Sequence, residues 1–221
     1  VSDMLLNWAH HVRRIRLKFV VACMDQALFD TAENANLSAV MHTTNSQQGG
    51  EERVKTRWKY YRMDPKAFLT MGLLKVRFFV SFLTAGFDVL CSDLDVIWLG
   101  DPRPWISGSV ASSELLPFAD VIVSTDCMDP SDDVRRHGCF SASIDKNTGI
   151  MAIKPSADGI ATMAEWRVRL AVGQLNEQDQ TTFMDLIDGN GRGHRWGMSP
   201  AQRGQFRKFA VDWCGAVSKG R

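Results

Sequence analysis

Apolar and polar positions alternate along the amino-terminal half of the chain in a way that predicts helices and strands in turn. Met4, Leu5, Trp8, Ala9 and Val12 recur at helical spacing behind Ser2-Asp3, a pair suited to capping. Leu17-Lys18-Phe19-Val20-Val21-Ala22-Cys23 reads as a strand, residues 25–34 as the helix after it, and residues 37–41 as a second short strand. This order predicts parallel strands joined by helical crossovers. Residues 43–57 are polar and read as a loop long enough to form a lid. Asp64-Pro65 supplies a cap and a proline at the first helical position. The helix it opens runs to Ala85, and Gly86 stops it. Phe68, Leu69, Leu73, Val76, Phe79, Phe82 and Leu83 give that helix a wide apolar face, interrupted late by Lys75 and Arg77. Two readings fit those cations: they snorkel to solvent, or Lys75 reaches the acidic segment that follows.

That segment is Phe87-Asp88-Val89-Leu90-Cys91-Ser92-Asp93-Leu94-Asp95-Val96-Ile97-Trp98-Leu99. An apolar run of this kind reads as a buried parallel strand, and open α/β sheets bind ligands at the carboxyl ends of such strands. Asp93 and Asp95 are thus predicted to line a crevice. In extended geometry residues i and i+2 point the same way, so both carboxylates converge on one partner. Two converging oxyanions repel, and burying them forces protonation unless a cation joins them. A hard divalent cation, Mn²⁺ or Mg²⁺, resolves the conflict and usually holds substrate phosphates as well. The residues alone therefore predict a metal–diphosphate site.

Beyond Trp98, Asp101-Pro102-Arg103-Pro104-Trp105 can neither continue a strand nor begin a long helix. Residues 120–126 form a further strand that again ends on a carboxylate, Asp126. Residues 140–144 and 149–153 are expected as neighbouring strands, with Asn147-Thr148-Gly149 turning between them. Amphipathic helices are expected over 156–172 and 177–188, and residues 191–221 are a Gly/Arg-rich tail with no period.

Composition sharpens this picture. The chain has 221 residues, 45% of them hydrophobic and 23% charged, which fits one soluble α/β domain. The net charge of +1 conceals a pattern: residues 1–77 carry 12 Lys/Arg and 7 Asp/Glu, residues 78–133 carry 1 and 10, and residues 134–221 carry 13 and 8. An acidic middle between basic flanks argues against nucleic acid, which needs a continuous positive face. It suits a cation whose anionic ligand is met by basic groups from elsewhere, although Asp129, Asp132 and Asp133 read as a solvated loop. No C-x-x-C pair occurs among the five cysteines, which argues against structural zinc. Cys23 and Cys91 read as core thiols, whereas Cys127 and Cys139 are able to pair only in an oxidising compartment. His10, His11, His42 and His137 show no metal-ligand spacing. No run of 18 apolar residues and no signal peptide is present, so the residues are those of a cytosolic protein or the lumenal part of something longer. Asn36-Leu37-Ser38 is a glycosylation triplet usable only in the second case.

Four blocks in order carry a family resemblance. Lys75 with Gly86-Phe87-Asp88-Val89-Leu90, Asp93-Leu94-Asp95-Val96-Ile97-Trp98-Leu99 and Asp101-Pro102 come first, and Ala119-Asp120 with Ser124-Thr125-Asp126 second. Asn147-Thr148-Gly149-Ile150-Met151 and Asp179-Gln180 with Phe183 complete the series. Over residues 4–188 the chain resembles the nucleotide-diphospho-sugar transferases of glycosyltransferase family 77, which include plant and algal arabinosyl-, xylosyl- and galactosyltransferases. The resemblance implies a single GT-A-like domain over 1–190, with a mixed, mostly parallel sheet flanked by helices and a Rossmann-like nucleotide-binding half. It implies Mn²⁺ (or Mg²⁺), a UDP-sugar donor, and a cell-wall glycan or hydroxyproline-rich glycoprotein as acceptor, with retention at the anomeric carbon. Asp95 and Asp93 would be metal ligands, Asp93 also touching the ribose, and the family's later metal ligand, often His, falls to His194. Lys75 would face the phosphates, while Asp126, Asn147, Thr148 and Gly149 would line the sugar pocket. Asp179 and Gln180 would face the reacting carbon. The family's first strand, and a membrane anchor that would place the domain in the Golgi lumen as part of a type II membrane protein, would precede Val1.

Two rival readings stand beside it. In a haloacid-dehalogenase-like phosphatase Asp93 would be the nucleophile and Asp95 the acid/base, but that motif normally opens its domain, whereas here it follows some ninety residues and precedes prolines. A degenerate sugar- or nucleotide-binding domain is the other.

Overall fold

A computed structural model describes residues 2–41, 65–110, 116–125, 146–172 and 179–188. The predicted lid, the strand at 140–144, Asp126, Cys127, Cys139, His42, His137, His194 and the tail lie outside the described residues. The chain divides into two units, Val1–Ile122 with Gly149–Asp179, and Val123–Thr148 with Gln180–Arg221.

The first unit opens with α1 (Ser2–Arg14), whose Leu5, Trp8, Ala9 and Val12 form one buried stripe, as the spacing predicts. Asp3 at its start and Arg13 and Arg14 at its end complement the helix dipole. β1 (Val21–Cys23) follows, then α2 (Gln26–Asn34), capped by an Asp25 carboxylate that accepts the Leu28 N–H at 2.7 Å. β2 (Ala39–Met41) pairs parallel to β1, with Val21 opposite Ala39 and Cys23 opposite Met41. Leu5, Trp8, Val12, Val21, Cys23, Ala32 and Leu37 build the core beneath this βαβ unit, and Leu94 and Trp98 pack onto it from the acidic segment.

The 20-residue helix α3 (Pro65–Thr84) and the strand β3 (Val89–Ser92) come next. Gly86, at φ 88°, ends α3 as its residue type predicts: its N–H reaches Leu83 O at 2.9 Å and the Phe87 N–H reaches Phe82 O at 3.0 Å. The rings of Phe82 and Phe87 close the motif at 6.5 Å. α1 and α2 end in the same way without a glycine, with Arg16 at φ 56° and Asn36 at φ 51°. A one-turn helix α4 (Arg103–Ile106) follows β3, as its prolines allow. β4 (Val121–Thr125), β5 (Lys146–Ile153), α5 (Ala157–Val172) and α6 (Asp179–Asp188) complete the order. α3 packs along α5, where Phe79 and the fully buried Trp166 meet at 6.3 Å between ring centroids.

Three expectations are corrected here. β3 is not a buried parallel strand: it pairs antiparallel with β5, Val89 opposite Ile153, at the edge of a sheet ordered β3-β5-β4, and Leu90 is exposed. Antiparallel sheets can leave one face to solvent, and Leu90 takes that face. The architecture is mixed α/β with a two-stranded and a three-stranded sheet; β1–β2 is parallel and β3–β5 antiparallel, so the sheets are small and not clearly the mostly parallel, Rossmann-like sheet expected. Asn147-Thr148-Gly149 does not form a turn but lies within β5.

In the second unit, Ser124 Oγ donates to Asn147 O at 2.9 Å, and Thr148, Thr182 and Phe183 are buried.

Candidate functional site

The acidic segment leaves β3 under close backbone control. The Asp93 N–H donates to Gly149 O at 2.7 Å, extending the β3–β5 ladder by one residue. Ser92 Oγ accepts the indole N–H groups of Trp8 at 3.0 Å and Trp98 at 3.1 Å, and lies 3.1 Å from Asp93 O, to which it donates. The chain then turns: the Val96 N–H reaches Asp93 O at 3.3 Å, with Leu94 and Asp95 at the corner. The extended geometry expected of Asp93 and Asp95 is therefore replaced by a turn. Leu94 and Trp98 gain apolar cover in the amino-terminal core when the chain bends there, which a straight strand would forgo. Asp95 is exposed and makes no hydrogen bond or ion pair with another described residue.

Asp93 meets Lys75 instead. The Lys75 ammonium lies 3.2 Å from Asp93 Oδ1 and 3.7 Å from Asp179 Oδ2. The Lys75 and Asp179 side chains are 13% and 15% exposed, whereas that of Asp93 is 49% exposed, so the pair with Asp179 is sheltered and the Asp93 end is open to ligand. Burial works against the Lys75 charge, but Cys91, Asp93 and Asp179 around it, with the hydrogen bond to Asp93, hold its pKa above the ordinary lysine value. Cys91 is pushed up to about 11, by burial first and by Asp93 and Asp179 against the opposing pull of Lys75, so it is a neutral thiol at pH 7. Among the described residues, the Asp93 and Asp179 carboxylates hold the ammonium there.

Asp179 is seated as tightly as Lys75. A Cβ added at Gly72 would stand 2.7 Å from Asp179 Cβ, so the glycine forms a notch in α3 that receives the base of the aspartate. Trp166 Nε1 donates to Asp179 O at 3.0 Å. Gly72 and Lys75 are three residues apart and share one face of α3, so notch and ammonium are presented together.

Of the residues singled out in the sequence, Lys75, Asp93, Gly149 and Asp179 come together in the first unit. Asn147, Thr148 and Gln180 belong to the second unit, and Asp126 and His194 lie outside the described residues. Gly72 and Ser92 were given no role by sequence reasoning; a glycine within an apolar helix was the one available signal.

Just past β3, the half-exposed Asp93 carboxylate thus meets a sheltered ammonium supplied by α3 in a mixed α/β protein. Residues 15–208 match the nucleotide-diphospho-sugar transferase family, and the chain belongs to that family. It is 24% identical over 197 residues to beta-arabinofuranosyltransferase RAY1 of Arabidopsis thaliana, covering 89% of this chain and 33% of the relative. It is 22% identical over 191 residues to arabinosyltransferase XEG113 of the same organism, covering 84% and 26%. The chain thus spans about a third and a quarter of the length of these curated relatives. No solved structure gives a significant match. Family membership sets aside the phosphatase reading of Asp93 and Asp95.

Proposed function

We propose that this chain is a GT-A-like, metal-dependent glycosyltransferase that moves a pentose or hexose from a UDP-sugar to a cell-wall glycan or hydroxyproline-rich glycoprotein, with retention, in the Golgi lumen. Residues 1–190 are read as the transferase domain and 191–221 as its tail. The observation that carries the reading is the Lys75 ammonium held between Asp93 and Asp179 at the end of β3, in a member of this family. The two arabinosyltransferase relatives make UDP-arabinose the first donor to test.

In the reaction the bond from the anomeric carbon to the β-phosphate oxygen breaks, its electron pair leaving with UDP. The acceptor oxygen bonds the same face of that carbon, and its proton passes to the departing phosphate. Lys75 stands ready to meet the charge that develops on the diphosphate, and a prepositioned cation favours that charge without reorganising. Asp179 and Gln180 are assigned to the face of the reacting carbon, and Asp126, Asn147, Thr148 and Gly149 to the sugar pocket. Asp93 and Asp95, both accessible hard-oxygen donors, suit Mn²⁺ or Mg²⁺, which takes one or two carboxylates and fills its remaining positions with phosphate and water. Among the described residues no group of three or more His, Cys, Asp or Glu is placed to hold a metal, and His194 is proposed as a further ligand. Bound there, the ion would neutralise diphosphate charge. No helix among the described residues is long and apolar enough to cross a membrane.

UDP release and product formation from UDP-arabinose, UDP-xylose and UDP-galactose, with and without Mn²⁺, test the reading. Expected are turnover of one donor, loss of Mn²⁺ dependence in Asp95→Ala, and calorimetric UDP binding weakened in both Asp95→Ala and Lys75→Met. UDP binding indifferent to both substitutions in folded protein would refute it, and UDP binding without turnover of any donor would favour the degenerate domain.

A further inference from the structure

Asn36-Leu37-Ser38 is the single Asn-x-Ser/Thr triplet in the sequence, and the transferase chemistry makes no use of it. It lies in the turn between α2 and β2. The Asn36 N–H reaches Glu33 O at 2.9 Å, Arg13 Nη2 donates to Asn36 O at 3.0 Å, the Leu37 N–H reaches Ala32 O at 2.9 Å, and Ser38 O accepts the Val21 N–H at 2.8 Å. Leu37, 7% exposed, plugs the core. The backbone and the central leucine thus hold the turn, while the two residues on either side are exposed. Neither the Asn36 carboxamide nor the Ser38 hydroxyl bonds another described residue.

Location favours the same conclusion. The triplet immediately precedes Ala39, which pairs with Val21 at the amino-terminal edge of the parallel β1–β2 pair. Ligands of open α/β sheets bind at the opposite, carboxyl-terminal edge. A large group on Asn36 therefore leaves from the edge remote from the one where nucleotide is expected, and its stem displaces no contact of the fold.

We propose that Asn36 is a site of N-linked glycosylation, taking a preassembled oligosaccharide from a polyprenyl-diphosphate carrier in the lumen of the secretory pathway. Asn36 Nδ2 bonds the anomeric carbon of the oligosaccharide, and the bond from that carbon to the diphosphate breaks with its electron pair leaving on the carrier. One amide proton is released, and nothing is oxidised or reduced. The inference rests on the lumenal location given under Proposed function and not on the transferase reaction.

The test expresses the chain behind a cleavable signal sequence in a eukaryotic secretory host, with a second Asn-x-Thr triplet in a flexible carboxyl-terminal tag to report delivery. Two glycans are expected, both released by peptide N-glycosidase, with Asn36 identified by peptide mapping. Ser38→Ala should retain only the tag glycan, and Ser38→Thr should keep both. Ser38→Ala is the decisive variant because it leaves in place the asparagine that adopts φ 51°, where Asn36→Gln would disturb the turn. A glycosylated tag with unmodified Asn36, or two glycans in Ser38→Ala, overturns the proposal. UDP-sugar turnover on the same preparations separates the two readings. A glycosylated but inactive chain counts against the transferase alone, and an active chain with bare Asn36 against the glycan alone.

Discussion

Gly72→Ala sets two effects of opposite sign against each other. In an unencumbered helix interior, replacing glycine by alanine stabilises by about 1 kcal/mol. Here the new methyl would stand 2.7 Å from Asp179 Cβ, where ordinary contact begins at 3.4 Å, so the two elements must separate by about 0.7 Å. Overpacking of that kind costs about 1–3 kcal/mol. Set against the propensity gain, the net is a loss of about 1 kcal/mol, or about 3 °C in Tm for a chain of this size.

The separation matters more for chemistry than for stability. The Lys75–Asp179 pair already stands at 3.7 Å, so a shift of that size exceeds the margin left before contact is lost at about 4 Å. Misplacing a reacting group by about 1 Å costs about 100-fold, and a tenfold or greater fall in donor turnover is expected. Thermal denaturation and UDP-release kinetics on Gly72→Ala read both quantities. Gly100→Ala is the control, since a Cβ there meets nothing within 4 Å. A Tm that rises by a few degrees with turnover unchanged would show that Asp179 does not seat on α3, and the site as described would fall.

Lys75→Met leaves Asp93 and Asp179 without their shared cation; a hydrogen bond to a charged group is worth about 1.5–3 kcal/mol, so UDP affinity by calorimetry should fall about 10- to 100-fold. Stability should decline as pH rises from 9 to 11. Cys23, pushed up to about 11 by burial and then Asp25, and Cys91, pushed to about 11, stay protonated in the fold while the unfolded chain ionises, at up to roughly 2–3 kcal/mol each. Lys75, with its pKa raised, contributes fully below the ordinary lysine value of 10.5 and loses its pairing only as pH climbs through the folded value, so it steepens only the far end of that decline. Denaturant midpoints measured from pH 8 to 11 check this, and Cys23→Ala with Cys91→Ala should flatten the curve. Arg16→Gly should raise Tm by about 2–4 °C, because an arginine at φ 56° bears a penalty of about 1 kcal/mol that glycine escapes.

What was legible in the sequence follows from which interactions are local. The stripe of α1 and the Gly86 stop depend on neighbours within a turn or two, and each stands as read. The strand expected over residues 17–23 begins only at Val21, because Arg16 takes a left-handed conformation that its side chain does not advertise and the Leu17 N–H turns back to Val12 O at 3.2 Å. Sheet direction was misread because an apolar run at Val89–Leu90 looks the same in a parallel interior and at an antiparallel edge. The pairing of Lys75 with Asp93 was one of two readings open in the sequence. The seat of Asp179 was hidden, since nothing near Gly72 in sequence announces a carboxylate that arrives from a distant segment.

These differences change which element organises the site. The D-x-D pattern suggested that strand geometry would bring two acids together, but β3 ends at Ser92 and the acids fall in a turn. The geometry instead originates on α3, a 20-residue helix pinned along α5, which offers a notch at Gly72 and an ammonium at Lys75 on one face. Asp179 is set into the notch and held through its carbonyl by Trp166, which fixes it beside the ammonium. Asp93 then completes the pair from β3 with a half-exposed carboxylate, and it is this partner that a ligand can compete with or join. On the proposed reading, Lys75 keeps its pairing with Asp179 when Asp93 turns to another cation. On that same reading, an ammonium already held in this way would meet developing charge without reorganising.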